Sequence, residues 1–516
     1  MSFSPSLGST LTHTAVRTPE NVSEYSGMCA VCTANCIGPC EIGLSAIRGC
    51  EALYPFETDK NQFASEKRYP LDFSHFNING KVFGAYGCEE NADSATYPKV
   101  DIQTSFGLSK KVKMNAPIIL PAMAKLNWKD YYAGAALAGV PVVIGEDVVA
   151  KDKELALENG KVVSSPLIMK MVDSFREYYR GYGDIILQAN YDDENLGVLD
   201  YAIKSLGVKS VELKFGQAAK GIQGMGAVKD IDDAVKLKKM GYLVYPDPED
   251  PNIAENYKKG KGQIFEKIGK LPIWNEELLI NRVAELRKLG AERICFKTGP
   301  FDPKDLVRII KIASEAGVDL ITFDGAGGGT GNSPVKMMNE WGMPTVYLES
   351  MLYNLLSRMK YKNFKLPQIA IAGGFATEDH IFKGLALGAP VVNFVAVGRA
   401  AMAAAMSGKQ VDELLSQGIV TKEYKRFGSE RNELFAGIRE LKMYYDNTDK
   451  ISGGAIGVYS YISRVSAGLK QLMALNRKFK LGFIERGDII PLTELAAQVS
   501  GLDTYDDLLL KELSNI

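Results

Sequence analysis

The chain has 516 residues, of which 46% are apolar and 24% charged, and its net charge is −1. That is an ordinary globular composition, and a near-neutral charge gives no electrostatic reason to expect nucleic acid or an anionic membrane as partner. No run of 18 apolar residues occurs, so no span across a bilayer is expected.

The length allows two to four domains, or fewer if one is a barrel. The first residues, MSFSPSLGSTLTHTAV, lack the basic start and apolar stretch of an export signal, so a cytoplasmic protein is the expectation. Residues 1–100 carry no regular alternation of apolar runs. They hold six of the seven cysteines, four of them in CAVCTANCIGPC: Cys29, Cys32, Cys36 and Cys40. In a chain without an export signal such crowding points to a metal or cluster rather than to disulfides. Four close thiolates suit an iron–sulfur cluster, of which 4Fe-4S is the first choice, or zinc. Cys50 or Cys88 can replace one of the four. Cys295 stands alone in an apolar run and reads as a core residue.

From about residue 115 a rhythm sets in. Eight short apolar runs, PIILPA, PVVIGE, DIILQA, SVELKF, RICFKT, DLITFD, QIAIAG and VVNFVAVG, alternate with amphipathic stretches such as NEELLINRVAELRKLG and DPKDLVRIIKIASEAG. Both stretches have helical spacing and end in glycine. Continuous apolar strands, each followed by a helix, imply a parallel sheet covered on both faces. Eight of them predict an α/β fold, a closed (β/α)8 TIM barrel, over residues 101–410; an open doubly wound sheet is the alternative. The connection between the fourth and fifth runs is far longer than the others. Its polar, proline- and lysine-rich part, about 229–275, reads as a lid or binding loop. Residues 411–516 read as a C-terminal helical extension.

Active sites of such barrels form where strands end. Pro121, Ala122 and Met123 end the first run, Glu146 the second, and Gln188 and Asn190 the third. Lys214, Gln217 and Lys220 follow the fourth, and Lys297 and Thr298 end the fifth. Asp324 opens FDGAGGGTGNSP after the sixth, with Gly325, Gly327, Gly328 and Gly329 able to bring bare N–H groups near a flat ligand; Asn332 or Ser333 is expected to cap the next helix. Gly373 and Gly374 end the seventh run, and Gly398 and Arg399 the eighth. These last two pairs suit a phosphate, held by backbone N–H groups, a helix N-terminus and a guanidinium. A buried lysine needs an anionic neighbour. For Lys214 and Lys297 that is a reduced flavin, a carboxylate substrate, or an internal partner among Glu146, Glu212 and Asp324. Three histidines and no Ser/His/Asp set give no support to triad hydrolysis, whereas hydride chemistry relies on a cofactor.

LKFGQAAKGIQG, KTGPFDPKDLVRIIKIASEAGVDLITFDGAGGGTGNSP, YLES and AIAGGFATEDHIFKGLALGAPVVNFVAVGRA together resemble the FMN-binding synthase domain of glutamate synthases. The resemblance covers about 115–400 and, in ERGDIIPLTELAAQVSGLD, the tail of stand-alone relatives. It implies that Lys214, Gln217 and Lys220 form a substrate and flavin segment, that Lys297 lies near the flavin pyrimidine, that Asp324 to Pro334 form the glycine loop, and that Glu349 is a catalytic glutamate at a strand end. Gly221-Ile222 stands where the family has Pro-Gly, and the family's cysteine trio after the eighth strand is absent. The resemblance implies an FMN-dependent oxidoreductase of the CH-NH2 class, to which the N-terminal cysteine spacing adds the iron–sulfur expectation. It would reduce an imine, such as that of 2-oxoglutarate and ammonia, with electrons from ferredoxin or another donor protein. A separate glutaminase subunit and a homo-oligomer are also expected. The alternatives are a transferase or reductase for another amine or acid, and a flavin-binding electron-transfer subunit.

Overall fold

The structure, a computed structural model, describes residues 3–5, 15–19, 41–54, 65, 67, 69–216, 225–261, 264–326 and 333–516. The cysteine quartet, Gln217, Lys220 and the glycines Gly327, Gly328 and Gly329 lie outside them. Eight parallel strands close into a barrel: β1 (Ile118–Met123), β2 (Val142–Ile144), β3 (Ile185–Ala189), β4 (Ser210–Lys214), β5 (Arg293–Thr298), β6 (Leu320–Asp324), β7 (Gln368–Ala372) and β8 (Phe394–Ala396). Neighbours in sequence pair in space, and β8 returns to β1 through Val395 opposite Ile118. The closed barrel, and not the open sheet, is what the eight runs form.

Alternation along the strands sorts their residues into two clusters, as the two-residue period of a strand requires. Ile119, Val143, Ile186, Cys295, Leu320, Ala370 and Phe394 meet inside the barrel. Ile118, Val142, Leu187, Val211, Phe296, Ile321, Ile371 and Val395 point outward beneath the helices. Because both faces are buried, the runs read as unbroken apolar stretches. Cys295 is a buried free thiol of the inner cluster, and burial pushes its pKa up.

The helices that cover the barrel are α1 (Trp128–Ala138), α2 (Pro166–Arg176), α3 (Val198–Leu206), α4 (Glu276–Leu289), α5 (Pro303–Ala316), α6 (Thr345–Tyr361), α7 (Glu378–Leu387) and α8 (Arg399–Ser416). Their starts follow capping rules: Ser165, Asn275 and Asp302 side chains accept from the first-turn N–H groups of α2, α4 and α5. A hairpin of Thr104–Phe106 and Val112–Met114 shuts the N-terminal end of the barrel. Phe106 and Met114 are fully buried in the inner cluster, and Gln368 and Asp319 side chains tie the hairpin to β7 and to the start of β6. The other end is left open by contrast.

The long connection after β4 is a small folded insert. Its strands Met225–Val228, Phe265–Ile268 and Leu243–Tyr245 form an antiparallel sheet, and its helices Ile231–Lys239 and Pro251–Lys258 are capped by Asp230 and Asp250. Strands of three or four residues are too short for their period to show in the sequence. Helix α9 (Gly453–Leu475) of the C-terminal segment packs on α1 and α8. A Cβ on Gly408 of α8 would lie 2.3 Å from the Gly453 carbonyl oxygen, so glycine is what lets these two backbones touch. The tail then crosses to the N-terminal segment, where Ile489–Pro491 pairs antiparallel with Phe76–Ile78. Sequence patterning suggested two separate extensions; from residue 76 onward they are joined by this sheet.

Candidate functional site at the open end of the barrel

A cavity of about 410 Å³ lies at the C-terminal ends of the strands, within the range of small-ligand sites. It is lined by residues of six strand ends: Pro121, Ala122 and Met123 (β1), Gln188 (β3), Lys297 (β5), Asp324 (β6), Ala372 to Ala376 (β7), and Ala396, Gly398, Arg399, Ala400 and Ala403 (β8 and α8). Strand-end residues Ala122, Met123, Gln188, Lys297, Asp324, Gly373, Gly374, Gly398 and Arg399 therefore come together in one place. The β1 wall is held from outside: Tyr131 and Tyr132 of α1, both fully buried, donate their hydroxyls to the carbonyls of Pro121 and Met123.

One side of the cavity suits an anion. The 18-residue helix α8 starts there, with Gly398 as its N-cap and Arg399 as its first residue. The N-terminal amide groups of a helix and its dipole both favour negative charge. Burial lowers the Arg399 pKa, and the Asp324 charge opposes that. A Cβ on Gly398 would come within 3.2 Å of the Pro121 ring. Gly374 has φ +89° and nothing within 4 Å of where its Cβ would be, so its left-handed backbone faces open space. Gly325, and Gly373 in addition to its own φ of +115°, have a further reason to be glycine. A Cβ on either would collide with the Thr345 hydroxyl, at 2.5 and 2.4 Å respectively, where α6 begins against the ends of β6 and β7. Their service is to packing, and Gly325 does not line the cavity.

Gln188, Lys297 and Asp324 make the lining polar and charged, whereas Lys214, Glu146 and Glu212 do not line the cavity. Lys297 and Lys214 sit in register on adjacent strands and are almost fully buried. Each has its own carboxylate: Lys297 Nζ lies 3.2 Å from Asp324 Oδ2, and Lys214 pairs with Glu146. The sequence leaves the partner open among three acids, and the fold gives one to each. Glu212, two residues before Lys214 and so on the same inward face, accepts a hydrogen bond from Gln188 Nε2 at 2.6 Å. Burial raises the Glu212 pKa, while Lys297, then the Gln188 amide, then Lys214 pull it back. In the sequence Glu212 reads only as a lysine partner; the two-residue period from Lys214 is the signal that turns it inward beside Gln188. The walls made by Phe375, Ala376, Ala400 and Ala403 carried no chemical signal and were not foreseen.

Two expectations need correction. Glu349 does not end a strand: it lies within α6, fully buried, with neither carboxylate oxygen hydrogen-bonded among the described residues. It faces the end of α7, where a Cβ on Gly388 would lie 2.7 Å from its Oε1, and it does not line the cavity. Burial raises its pKa well above the carboxylate range, and the Arg486 charge acts against this. Second, the helix after the glycine loop, Val335–Glu340, has Pro334 as its N-cap and no side-chain cap; the Ser333 hydroxyl is buried without a hydrogen-bond partner among the described residues.

Behind Glu146 the rim meets the insert. Lys267 of the insert lies 2.8 Å from Asp147 and 4.1 Å from the centre of the Tyr242 ring. Asp147, at φ +63°, receives the Asn190 amide and donates its own N–H to Asp193. Burial, then the Asp147 charge, push the Asp193 carboxyl up to about 8. The insert is thus clamped to the barrel at the strand end next to the Lys214–Glu146 pair.

Among the described residues no group of three or more metal-ligating side chains occurs, and no helix is long and apolar enough to cross a membrane. Residues 270–425 match a family model described as the conserved region in glutamate synthase. An archaeal-type glutamate synthase [NADPH] of Dehalococcoides mccartyi is 34% identical over 90 residues, a match that spans 17% of this chain and 17% of that protein. Among solved structures, the flavin-binding domain of baker's yeast flavocytochrome b2 superposes with a TM-score of 0.47 at 14% identity, covering 85% of this chain and 81% of that one. A chimera of (S)-mandelate dehydrogenase gives 0.43 at 13%, covering 81% and 88%; overlaps this loose add nothing to the barrel that the strand pairing already defines. Residues 270–425, less than a third of the chain, build β5 to β8 and the loops after them, and this stretch is what is similar to the conserved region in glutamate synthase.

Proposed function

We propose that the barrel mouth binds FMN and that the protein is an FMN-dependent oxidoreductase of the glutamate synthase type. One observation carries this reading. Lys297, Asp324, Gly373, Gly374, Gly398 and Arg399 all fall inside the matched region, and all line the one cavity at the barrel mouth. The residues present fit the group. The start of α8, Arg399 and Gly374 suit its phosphate, Lys297 suits an electron-rich ring edge, and the orphaned carbonyl oxygen of Gln188 lacks a donor that a ring N–H would supply. When bound, FMN supplies hydride transfer to an activated double bond.

The chain's own groups do the rest. Lys297 places positive charge where charge would build up on reduction, with Asp324 holding its ammonium in place. Lys214, whose ammonium pairs with Glu146, is the group closest in sequence to the substrate segment, which also includes Gln217 and Lys220; it would hold a substrate carboxylate. The leading substrate is the imine of 2-oxoglutarate and ammonia, reduced by two electrons from ferredoxin or another donor protein, with ammonia from solution or a separate glutaminase subunit. Gly221-Ile222, where the family has Pro-Gly, favours a second reading: the same chemistry on another amine or acid. The N-terminal quartet Cys29, Cys32, Cys36 and Cys40 would hold an iron–sulfur cluster, 4Fe-4S by its four close thiolates.

The test is an anaerobic visible spectrum of purified protein with flavin, iron and sulfide quantified. One FMN per chain and about four irons are expected, the iron being lost in Cys32→Ser with the flavin retained. Reduced protein mixed with 2-oxoglutarate and ammonia should regain its 450 nm band and form glutamate. Protein without flavin would overturn the whole reading, and flavin without reoxidation would overturn the substrate.

A further inference from the structure

Gln188 and Glu212 stand opposite one another on β3 and β4, both at most 2% exposed. The carboxylate of Glu212, flanked by Lys297 and Lys214, has only acceptor oxygens to offer. It therefore binds the NH2 end of the Gln188 amide, at 2.6 Å. With that end taken, the carbonyl end is the one left to meet the cavity that Gln188 lines. Gln188 Oε1 is buried and has no hydrogen-bond partner among the described residues. An unmet buried acceptor is costly, and a neutral amide free to turn would exchange its two ends to reduce that cost. Glu212 prevents the turn.

We propose that Glu212 is a positioning residue: it locks the Gln188 amide so that the cavity floor presents a lone acceptor oxygen beside the Lys297 ammonium, a pair that reads the N–H and carbonyl edge of an imide. This rests on the FMN reading above, and the imide is then the N3–H edge of the flavin pyrimidine. A carboxylate at position 212 thereby selects the donor face of the ligand without touching it.

The experiment is titration of the flavin-free protein with FMN and with its N3-methyl analogue, which has no proton at that nitrogen. Unaltered protein should bind FMN at least about tenfold more tightly. In Glu212→Gln the neutral amide allows Gln188 to turn, and the ratio should fall towards one. Gln188→Met should abolish it. Any change in Lys297 caused by losing the Glu212 charge affects both flavins alike, so the ratio reports the amide alone. A purely steric effect of the methyl group would leave the ratio in Glu212→Gln as large as in the unaltered protein, and that result overturns the proposal. A ratio near one in the unaltered protein also overturns it while leaving the FMN reading intact; binding of neither flavin removes both. Should Glu212→Gln not fold, the N3 proton of 15N-labelled FMN in the unaltered protein decides. Slow exchange with solvent supports the proposal, and exchange as fast as in free FMN defeats it.

Discussion

Arg399 is the residue on which the division of labour in the mouth is easiest to test. It opens α8 and lines the cavity. A guanidinium bound to a phosphate contributes roughly 1.5–3 kcal/mol. Arg399→Ala should therefore weaken FMN about ten- to a hundredfold while leaving riboflavin, which has no phosphate, nearly unchanged; equal losses for both ligands would show that the residue acts on the ring or on folding. Single residues were also where sequence reading was most uneven. Lys297 and Arg399 were legible because a charge at the end of an apolar run is costly without a purpose. Glu349 was misplaced because its neighbours YLES carry no mark distinguishing a strand end from the second turn of a buried helix. Gly373 and Gly374 look alike in sequence, yet only contact with the Thr345 hydroxyl separates the packing glycine from the one that faces open space.

At the scale of elements, the clamp between insert and barrel carries a pH dependence. The Asp193 pKa in the fold is pushed above its unfolded value by burial first and by the Asp147 charge second. The folded state then holds the proton that the unfolded state releases. Stability from neutral Asp193 is full below the ordinary carboxylate range and is lost progressively as pH rises towards about 8. Asp193→Asn, which keeps the shape without the ionisation, should flatten the stability profile between pH 5 and 8 in urea unfolding; an unchanged slope would assign the dependence to other groups. Lys267→Met, which leaves the partly buried Asp147 without its ion pair to the insert, should speed amide exchange in Met225–Val228 and Phe265–Ile268 and leave the barrel strands protected. The insert's position after the fourth strand was legible as a polar stretch too long for a turn, but its fold was not, since three- and four-residue strands are stabilised by their pairing rather than by their own pattern.

For the whole molecule, closure at one end makes the other end the candidate site. Phe106 and Met114 fill the N-terminal mouth with apolar side chains, so among the described residues the C-terminal rim is the end left open. Phe106→Ala should cost about 3–5 kcal/mol by leaving a cavity beneath the strands, read as a fall in the unfolding midpoint, with the FMN affinity of the folded fraction little changed; a loss of affinity as large as the loss of stability would show that the plug also shapes the rim. The order of the barrel was written in the chain itself. Eight apolar runs with a helix after each admit few arrangements, because a parallel strand buried on both faces must be apolar throughout and its crossover must return on the same side. The strand ends that carry charge and glycine were likewise readable one by one. What folding alone decided is which of those ends meet. The carboxylate assigned to each lysine, the bond that turns the Gln188 amide, the glycine contact between α8 and α9, and the sheet joining Phe76–Ile78 to Ile489–Pro491 all link positions far apart in sequence. Local pattern reports a residue's exposure and period; the partner it meets across the barrel depends on register and packing, which only the closed chain has.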